Sequence, residues 1–126
     1  MLVADDEPHI GRIIQLKLEQ GPYRVRLVAD GREALEVLRS SEPVDVVLLD
    51  IMMPHASGLE VLAEARTLPH RGGTPFIILT AKGQDADRRQ AMELGATDFF
   101  TKPFSPKRLL ARVDELFGIS SAAEGA

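Results

Sequence analysis

Short apolar runs alternate along the whole chain with stretches in which apolar residues recur every three or four positions. Five runs, at residues 2–4, 23–28, 44–49, 75–79 and 97–101, read as strands. The third and fourth are almost continuously aliphatic, as strands buried on both faces at the centre of a parallel sheet must be. Between the runs, Ile10, Ile14 and Leu18 stand at i, i+4 and i+8 and predict a first helix. Ala34, Leu35 and Leu38 predict a second, which Asp30 and Glu33 open as a capping box. Leu59, Leu62 and Ala63 predict a third after Gly58, and Ala91, Met92 and Leu94 a fourth ending at Gly95. Leu109, Leu110, Val113, Leu116 and Phe117 predict a fifth, ending at Gly118.

Strand followed by helix, five times over, is the α/β class: a (βα)5, doubly wound, five-stranded parallel sheet. Right-handed crossovers with helices on both faces favour the flavodoxin-like order 2-1-3-4-5, whose switch point lies between strands 1 and 3. Ligands of such sheets bind outside the carboxyl ends of the strands at that point. The residues there are Asp5 and Asp6 after strand 1, Asp50 after strand 3, Thr80 after strand 4, and Lys102 with Pro103 after strand 5. Each alone has an ordinary reading: Asp5 or Asp6 as a cap for the first helix ahead of Pro8, Asp50 as a turn former, Thr80 as a helix cap, Lys102 as a solvated charge. Their convergence on one edge is what asks for chemistry.

Composition narrows the classes. The chain has 126 residues, 44% hydrophobic and 27% charged, which suits one globular domain over residues 1–118. Residues 119–126, rich in Gly, Ser and Ala, read as a disordered tail or the start of a linker. Fifteen basic against nineteen acidic residues give a net charge of −4, so the field that holds nucleic acid non-specifically is missing and no direct nucleic-acid partner is expected. Without cysteine there is no disulfide framework, thiol nucleophile or cysteine-based metal site. No apolar run approaches the ~18 residues of a membrane span, and the start turns acidic at Asp5 where a signal peptide would be basic and then apolar; a cytoplasmic location without a membrane partner is the expectation.

Carboxylates at adjoining strand ends repel by roughly 4 kcal/mol per pair at 4 Å in a medium of intermediate dielectric, and a cation offsets that. Oxygen donors without His or Cys favour a hard ion, and Mg2+ suits a few carboxylates that also meet a phosphate. Asp50, on a central strand, is best placed as a nucleophile forming an acyl phosphate, with Lys102 pairing with a phosphoryl oxygen and Thr80 donating a hydrogen bond. No Gly-x-x-x-x-Gly-Lys loop or Gly-x-Gly-x-x-Gly turn supports nucleotide binding, and His9, His55 and His70 lack metal-binding spacing.

With these residues in view, the chain resembles the receiver domains of two-component response regulators (CheY-like). The resemblance rests on Leu-Val-Ala-Asp-Asp-Glu from Leu2, Leu-Leu-Asp-Ile-Met-Met-Pro from Leu48 with Gly58 following, Thr80-Ala81, and Phe-Phe-Thr-Lys-Pro-Phe from Phe99. It implies that Asp50 takes a phosphoryl group from a sensor histidine kinase or histidine phosphotransfer protein, that Asp6, Asp50 and the Met52 carbonyl bind Mg2+, and that Asp5 supports the ion through water. It implies further that Lys102 contacts the phosphoryl group and that the Lys102–Pro103 bond is cis. Thr80 and Phe99 would form the switch pair, Phe99 without the hydroxyl of the tyrosine common in the family. Met52 and Lys82 would tune phosphate lifetime, and the small Ala81 would leave room for the group. Such a domain is no enzyme for a separate substrate; it catalyses its own phosphorylation and dephosphorylation.

The output partner implied is an unidentified effector or fused output domain. In relatives joined to winged-helix domains, helix 4, strand 5 and helix 5 form a phosphorylation-dependent homodimer through cross-subunit charge pairs. Asp98 and Arg112 would supply one pair here, but Arg88 and Arg108 set like charges together and oppose it. Two other readings compete. Haloacid-dehalogenase-like phosphatases also use an aspartyl phosphate, but in an Asp-x-Asp after strand 1, where this chain has Asp5-Asp6-Glu7. A receiver-like interaction module without phosphorylation would dispense with the five site residues retained here.

Overall fold

Strands and helices alternate as β1 (Leu2–Ala4), α1 (Pro8–Glu19), β2 (Arg26–Val28), α2 (Gly31–Arg39), β3 (Val47–Asp50), α3 (Gly58–Ala65), β4 (Phe76–Thr80), α4 (Asp85–Glu93), β5 (Asp98–Thr101) and α5 (Pro106–Leu116), with a 3-10 turn at Pro69–Arg71. The computed structural model describes residues 1–53, 55–81 and 85–118, so Lys82 and the tail 119–126 lie outside the described residues. All strand pairs are parallel and the order is β2-β1-β3-β4-β5, the (βα)5 flavodoxin-like topology expected from the alternation.

Alternate strand residues feed two cores. Leu2, Ala4, Val47, Leu49, Phe76 and Ile78 face α2, α3 and α4, whereas Val3, Leu48, Ile77 and Leu79 face α1 and α5. The central strands therefore read as unbroken apolar runs because neither face meets water. β2 and β3 are shorter than the apolar runs that encode them. β1 offers only three residues for pairing, Leu2 to Ala4, so only Arg26–Val28 and Val47–Leu49 find ladder partners there. The preceding Tyr23 is buried instead in the α1/α5 core, its hydroxyl bonded to the buried carboxylate of Asp114.

Three helix starts, those of α2, α3 and α5, carry a side-chain cap. Asp30, Ser57 and Ser105 each accept the N–H three residues on, at 2.8, 3.2 and 3.3 Å. Glu33 completes the box by accepting the Ala29 N–H, one residue before the cap. In α1 the capping position is Glu7, which gives no side-chain cap, and neither Asp5 nor Asp6 serves as one. Asp5 is turned toward the sheet edge instead.

Two arginines act as clamps for backbone carbonyls. Buried Arg71 donates to the Leu38 oxygen in the last turn of α2 and to the Ser40 and Glu42 oxygens beyond it, at 3.0, 3.0 and 2.6 Å. Arg66 reaches the carbonyls of Thr74 and Gly95 and lies 4.8 Å over the Phe76 ring. The four last carbonyls of a helix lack intrahelical partners, and a guanidinium with five donors satisfies several at once. No helix among the described residues is long and apolar enough to cross a membrane.

Candidate functional site

Register creates the site. Ala4 pairs with Leu49, and Asp50 with Leu79, so the residue after β1 and the last residue of β3 end side by side. Asp5 and Asp50 are both buried, at 2% and 3% exposure, while Asp6 is exposed. Strand β5 stops level with β4, Thr80 opposite Thr101, and the Lys102 N–H donates to the Thr80 carbonyl at 2.6 Å. From there the Lys102 side chain runs inward across the strand ends, and the Lys102–Pro103 bond that follows is cis.

The ammonium of Lys102 donates to Asp5 at 2.9 Å, Asp50 at 3.0 Å and Glu7 at 3.1 Å. Asp5 also accepts the Glu7 N–H at 2.9 Å, and Asp50 the Met52 N–H at 3.1 Å. Carboxylate oxygens of Asp5, Asp6, Glu7 and Asp50 all lie within 4.8 Å of one another. At that separation each pair of negative charges repels by roughly 3 kcal/mol at intermediate dielectric, so one ammonium cannot compensate four carboxylates.

The strain appears in the protonation equilibria. Burial pushes the Asp50 carboxyl up to about 6, an effect that the Lys102 hydrogen bond and charge oppose and the Asp5 charge adds to. For Lys102, burial works against the ammonium, but hydrogen bonds to Asp5 and Asp50 and their charges outweigh it and raise its pKa above the ordinary lysine value. An all-oxygen donor set with surplus negative charge is the chemistry of a hard divalent cation.

Glu7 is the residue that strand-end reasoning did not single out. It is the third acid of the run after β1, and only the turn into α1 brings it to Lys102. Its side chain is 45% exposed, against 0% for Asp5 and 4% for Asp50. Glu7→Gln is expected to change the unfolding free energy, measured by urea denaturation in metal-free buffer, by less than about 1 kcal/mol, the range of exposed ion pairs. A larger loss would make Glu7, and not the buried pair, the main anchor of Lys102.

The other expected residues fall into place around this centre. Phe99 pairs with Ile78 and Thr80 with Thr101, so Phe99 and Thr80 lie diagonally on one sheet face, both buried. Met52 is exposed at 56%, and Ala81 is exposed beside the pocket. A concavity of about 650 Å3 lies between β2 and α2, remote from the acids.

A sequence model of the response regulator receiver domain matches residues 1–114. The chain belongs to the receiver domain family. Among solved structures, the receiver domain of the Francisella response regulator 1452 is 34% identical, with a TM-score of 0.85 over 93% of this chain and 94% of that one. The BeF3-activated DrrB receiver domain is 35% identical, with a TM-score of 0.84 over 93% and 95%. The response regulator DrrB, a Thermotoga maritima OmpR/PhoB homologue, matches at 34% identity and a TM-score of 0.80 over 93% of this chain and 51% of that one. Family membership sets aside the phosphatase alternative, whose nucleophile would have followed β1.

On the α4–β5–α5 face of this receiver, Arg88, Phe99, Phe104 and Arg108 line a groove of about 470 Å3. Arg112, expected as half of a cross-subunit pair with Asp98, closes that pair within the chain at 2.7 Å and also reaches Glu115 at 3.1 Å. Asp98 opens β5 and Arg112 lies on the second turn of α5, so the two meet within one chain. The Arg88 guanidinium stands 5.9 Å from the centre of the Phe99 ring.

Proposed function

We propose that this receiver is a phosphorylation-activated switch in which Asp50 takes the phosphoryl group of a phosphohistidine on a sensor histidine kinase or phosphotransfer protein. The observation that carries the reading is the single ammonium of Lys102 shared by three carboxylates from separate segments, with the buried Asp50 among them. A carboxylate oxygen of Asp50 forms the new P–O bond while the donor's P–N bond breaks, and the histidine nitrogen keeps the electron pair.

Asp5, Asp6 and Asp50 fit a Mg2+ ion because their oxygens converge within 4.8 Å and no nitrogen or sulfur ligand competes; the Met52 carbonyl would complete the protein's share. When bound, Mg2+ neutralises the acids and draws charge from the phosphoryl oxygens. Lys102 exchanges one of its carboxylate contacts for a phosphoryl oxygen and so ties the modified Asp50 to β5. The hydroxyl of Thr80 turns to the same group, and the space it leaves is filled by Phe99 behind it. Phe99 has no hydroxyl, so its rotamer is set by packing and by Arg88 over its ring. Phosphorylation then biases two arrangements of the α4–β5–α5 face that an effector or fused output domain distinguishes. The switch acts on itself alone, through autophosphorylation and autodephosphorylation, and belongs with its kinase's phosphohistidine in the cytoplasm.

Incubation with acetyl phosphate and Mg2+ is expected to add one phosphoryl group, mapped by mass spectrometry to Asp50, and none in the presence of EDTA. An unlabelled protein with intact fold would make the chain an interaction module that has lost the reaction.

A further inference from the structure

The connection from β3 to α3 carries Met52, whose N–H holds Asp50 at 3.1 Å. At the far end Gly58 donates to the Ile51 carbonyl at 3.0 Å, and a Cβ on it would lie 2.3 Å from the Asp50 carbonyl oxygen. Nothing in the chemistry of phosphoryl transfer calls for a third anchor, yet one exists on a different element. Gly31, the first residue of α2, sits against Ala56: a Cβ there would lie 2.1 Å from the Ala56 carbonyl oxygen and 2.7 Å from its carbonyl carbon. Those are backbone atoms, which cannot swing aside as a side-chain tip can. The next residue, Arg32, has its guanidinium 3.5 Å from Nδ1 of His55. His55 holds a φ of 70°, in the left-handed region that a non-glycine residue keeps only where its surroundings impose it.

We infer that the bare Cα of Gly31 is a seat for the loop after Asp50, so that the start of α2 is a positioning element for the phosphoacceptor and its metal ligands. α2 contributes no group to the acid cluster. It bears on the loop at Ala56 and His55, and its effect is read at Met52 and Asp50. The first turn of α2 is held together by the Asp30 cap and by Glu33 on the Ala29 N–H, so it meets the loop as one unit. A methyl group at position 31 must therefore part that turn from the loop backbone at Ala56. Gly11 supplies the contrast. A Cβ there meets Leu27 Cδ1 at 2.8 Å, the end of a flexible side chain, on the far side of the fold from the loop. The inference rests on the Mg2+ reading above for its consequence, although not for the contact itself.

The test compares wild type, Gly31→Ala and Gly11→Ala in two steps. In metal-free buffer, amide chemical shifts of the described loop residues, Met52 above all, are expected to move in Gly31→Ala and stay put in Gly11→Ala, whatever either variant does to the denaturation midpoint. Mg2+ titration of the folded proteins is then expected to show roughly tenfold weaker binding for Gly31→Ala and wild-type binding for Gly11→Ala, the scale seen when a group that orients a metal ligand is lost. Should Gly31→Ala not fold, Ala56→Gly approaches the seat from the loop side, and the same Met52 shift with weakened Mg2+ binding is expected. Unmoved loop amides in the folded variant overturn the seat. Moved amides with Mg2+ affinity within twofold of wild type overturn its positioning role. A wild-type protein that binds no Mg2+ defeats the metal reading instead, and the metal-free spectra still decide the contact.

Discussion

Asp50→Asn is expected to abolish phosphoryl labelling altogether and at the same time to yield a more stable protein. Loss of label follows from the amide, which has no oxygen able to attack phosphorus at neutral pH. The gain in stability follows from the raised pKa. Burial, partly countered by Lys102, lifts the folded-state value to about 6 from an ordinary 3.8, so between those values the folded state holds a proton that the unfolded chain has released. Stability contributed by this group is therefore present at low pH and is lost as pH rises through about 6. Above that, the ionised carboxylate works against the fold. In metal-free buffer at pH 7.5, Asn in its place should raise unfolding free energy by about 1–2 kcal/mol, discounting the pKa shift for solvent screening. Near pH 4 the difference between the two proteins should shrink toward zero. Urea denaturation at the two pH values measures both, and an asparagine variant less stable than wild type at pH 7.5 would show that the Lys102–Asp50 bond outweighs the burial. Mg2+ should then stabilise wild type more than the variant, because only wild type keeps the full ligand set.

The second large effect belongs to Lys102. Its Nζ contacts Asp5, Glu7 and Asp50 while the side chain is 9% exposed, and among the described residues no other cation forms an ion pair with those three carboxylates. Lys102→Ala leaves two buried carboxylates facing each other, and removing one partner of a buried pair costs about 3 kcal/mol. A drop of that size is expected in EDTA, with much of it recovered on adding Mg2+, which takes over the neutralisation. Labelling with acetyl phosphate should persist at a reduced rate. The Phe99 ring signals, which shift on phosphorylation of the wild type, should stay where they are in the labelled variant. A Lys102→Ala protein as stable as wild type in EDTA would mean that the acids are protonated or spread apart without the ammonium.

Both expectations depend on distances that no linear pattern contains, and the molecule shows where the two kinds of information part. Fold class, element order and sheet order were legible because a parallel sheet writes itself as continuous aliphatic runs, 44–49 and 75–79 above all, separated by helical periodicity. Strand ends were less so. The length of β2 is limited by its neighbour β1 and that of β3 by β1 and β4 together, and a run of apolar residues carries no record of how long its partners are. The capping box at Asp30 was legible because it is local, whereas local pattern left Asp5 with two readings, helix cap or member of the acidic edge, and its bond to Lys102, ninety-seven residues away, belongs to the second.

The same division runs through the site. That Asp5, Asp6, Asp50, Thr80 and Lys102 share one edge followed from topology, since each stands at a strand's carboxyl end. The entry of Glu7 into the Lys102 cluster, the closing of Asp98 onto Arg112 within one chain, and the contact of Gly31 with Ala56 did not. By itself the order of residues determined the architecture, the acidic edge and the kind of chemistry it suits, because periodicity and composition act over neighbours and every strand of a parallel sheet ends on the same side. Only the tertiary structure decided which acid holds the ammonium, which is buried and which backbone the phosphoacceptor loop rests on, because charge, desolvation and steric exclusion depend on distances between segments that the chain brings together only when it folds.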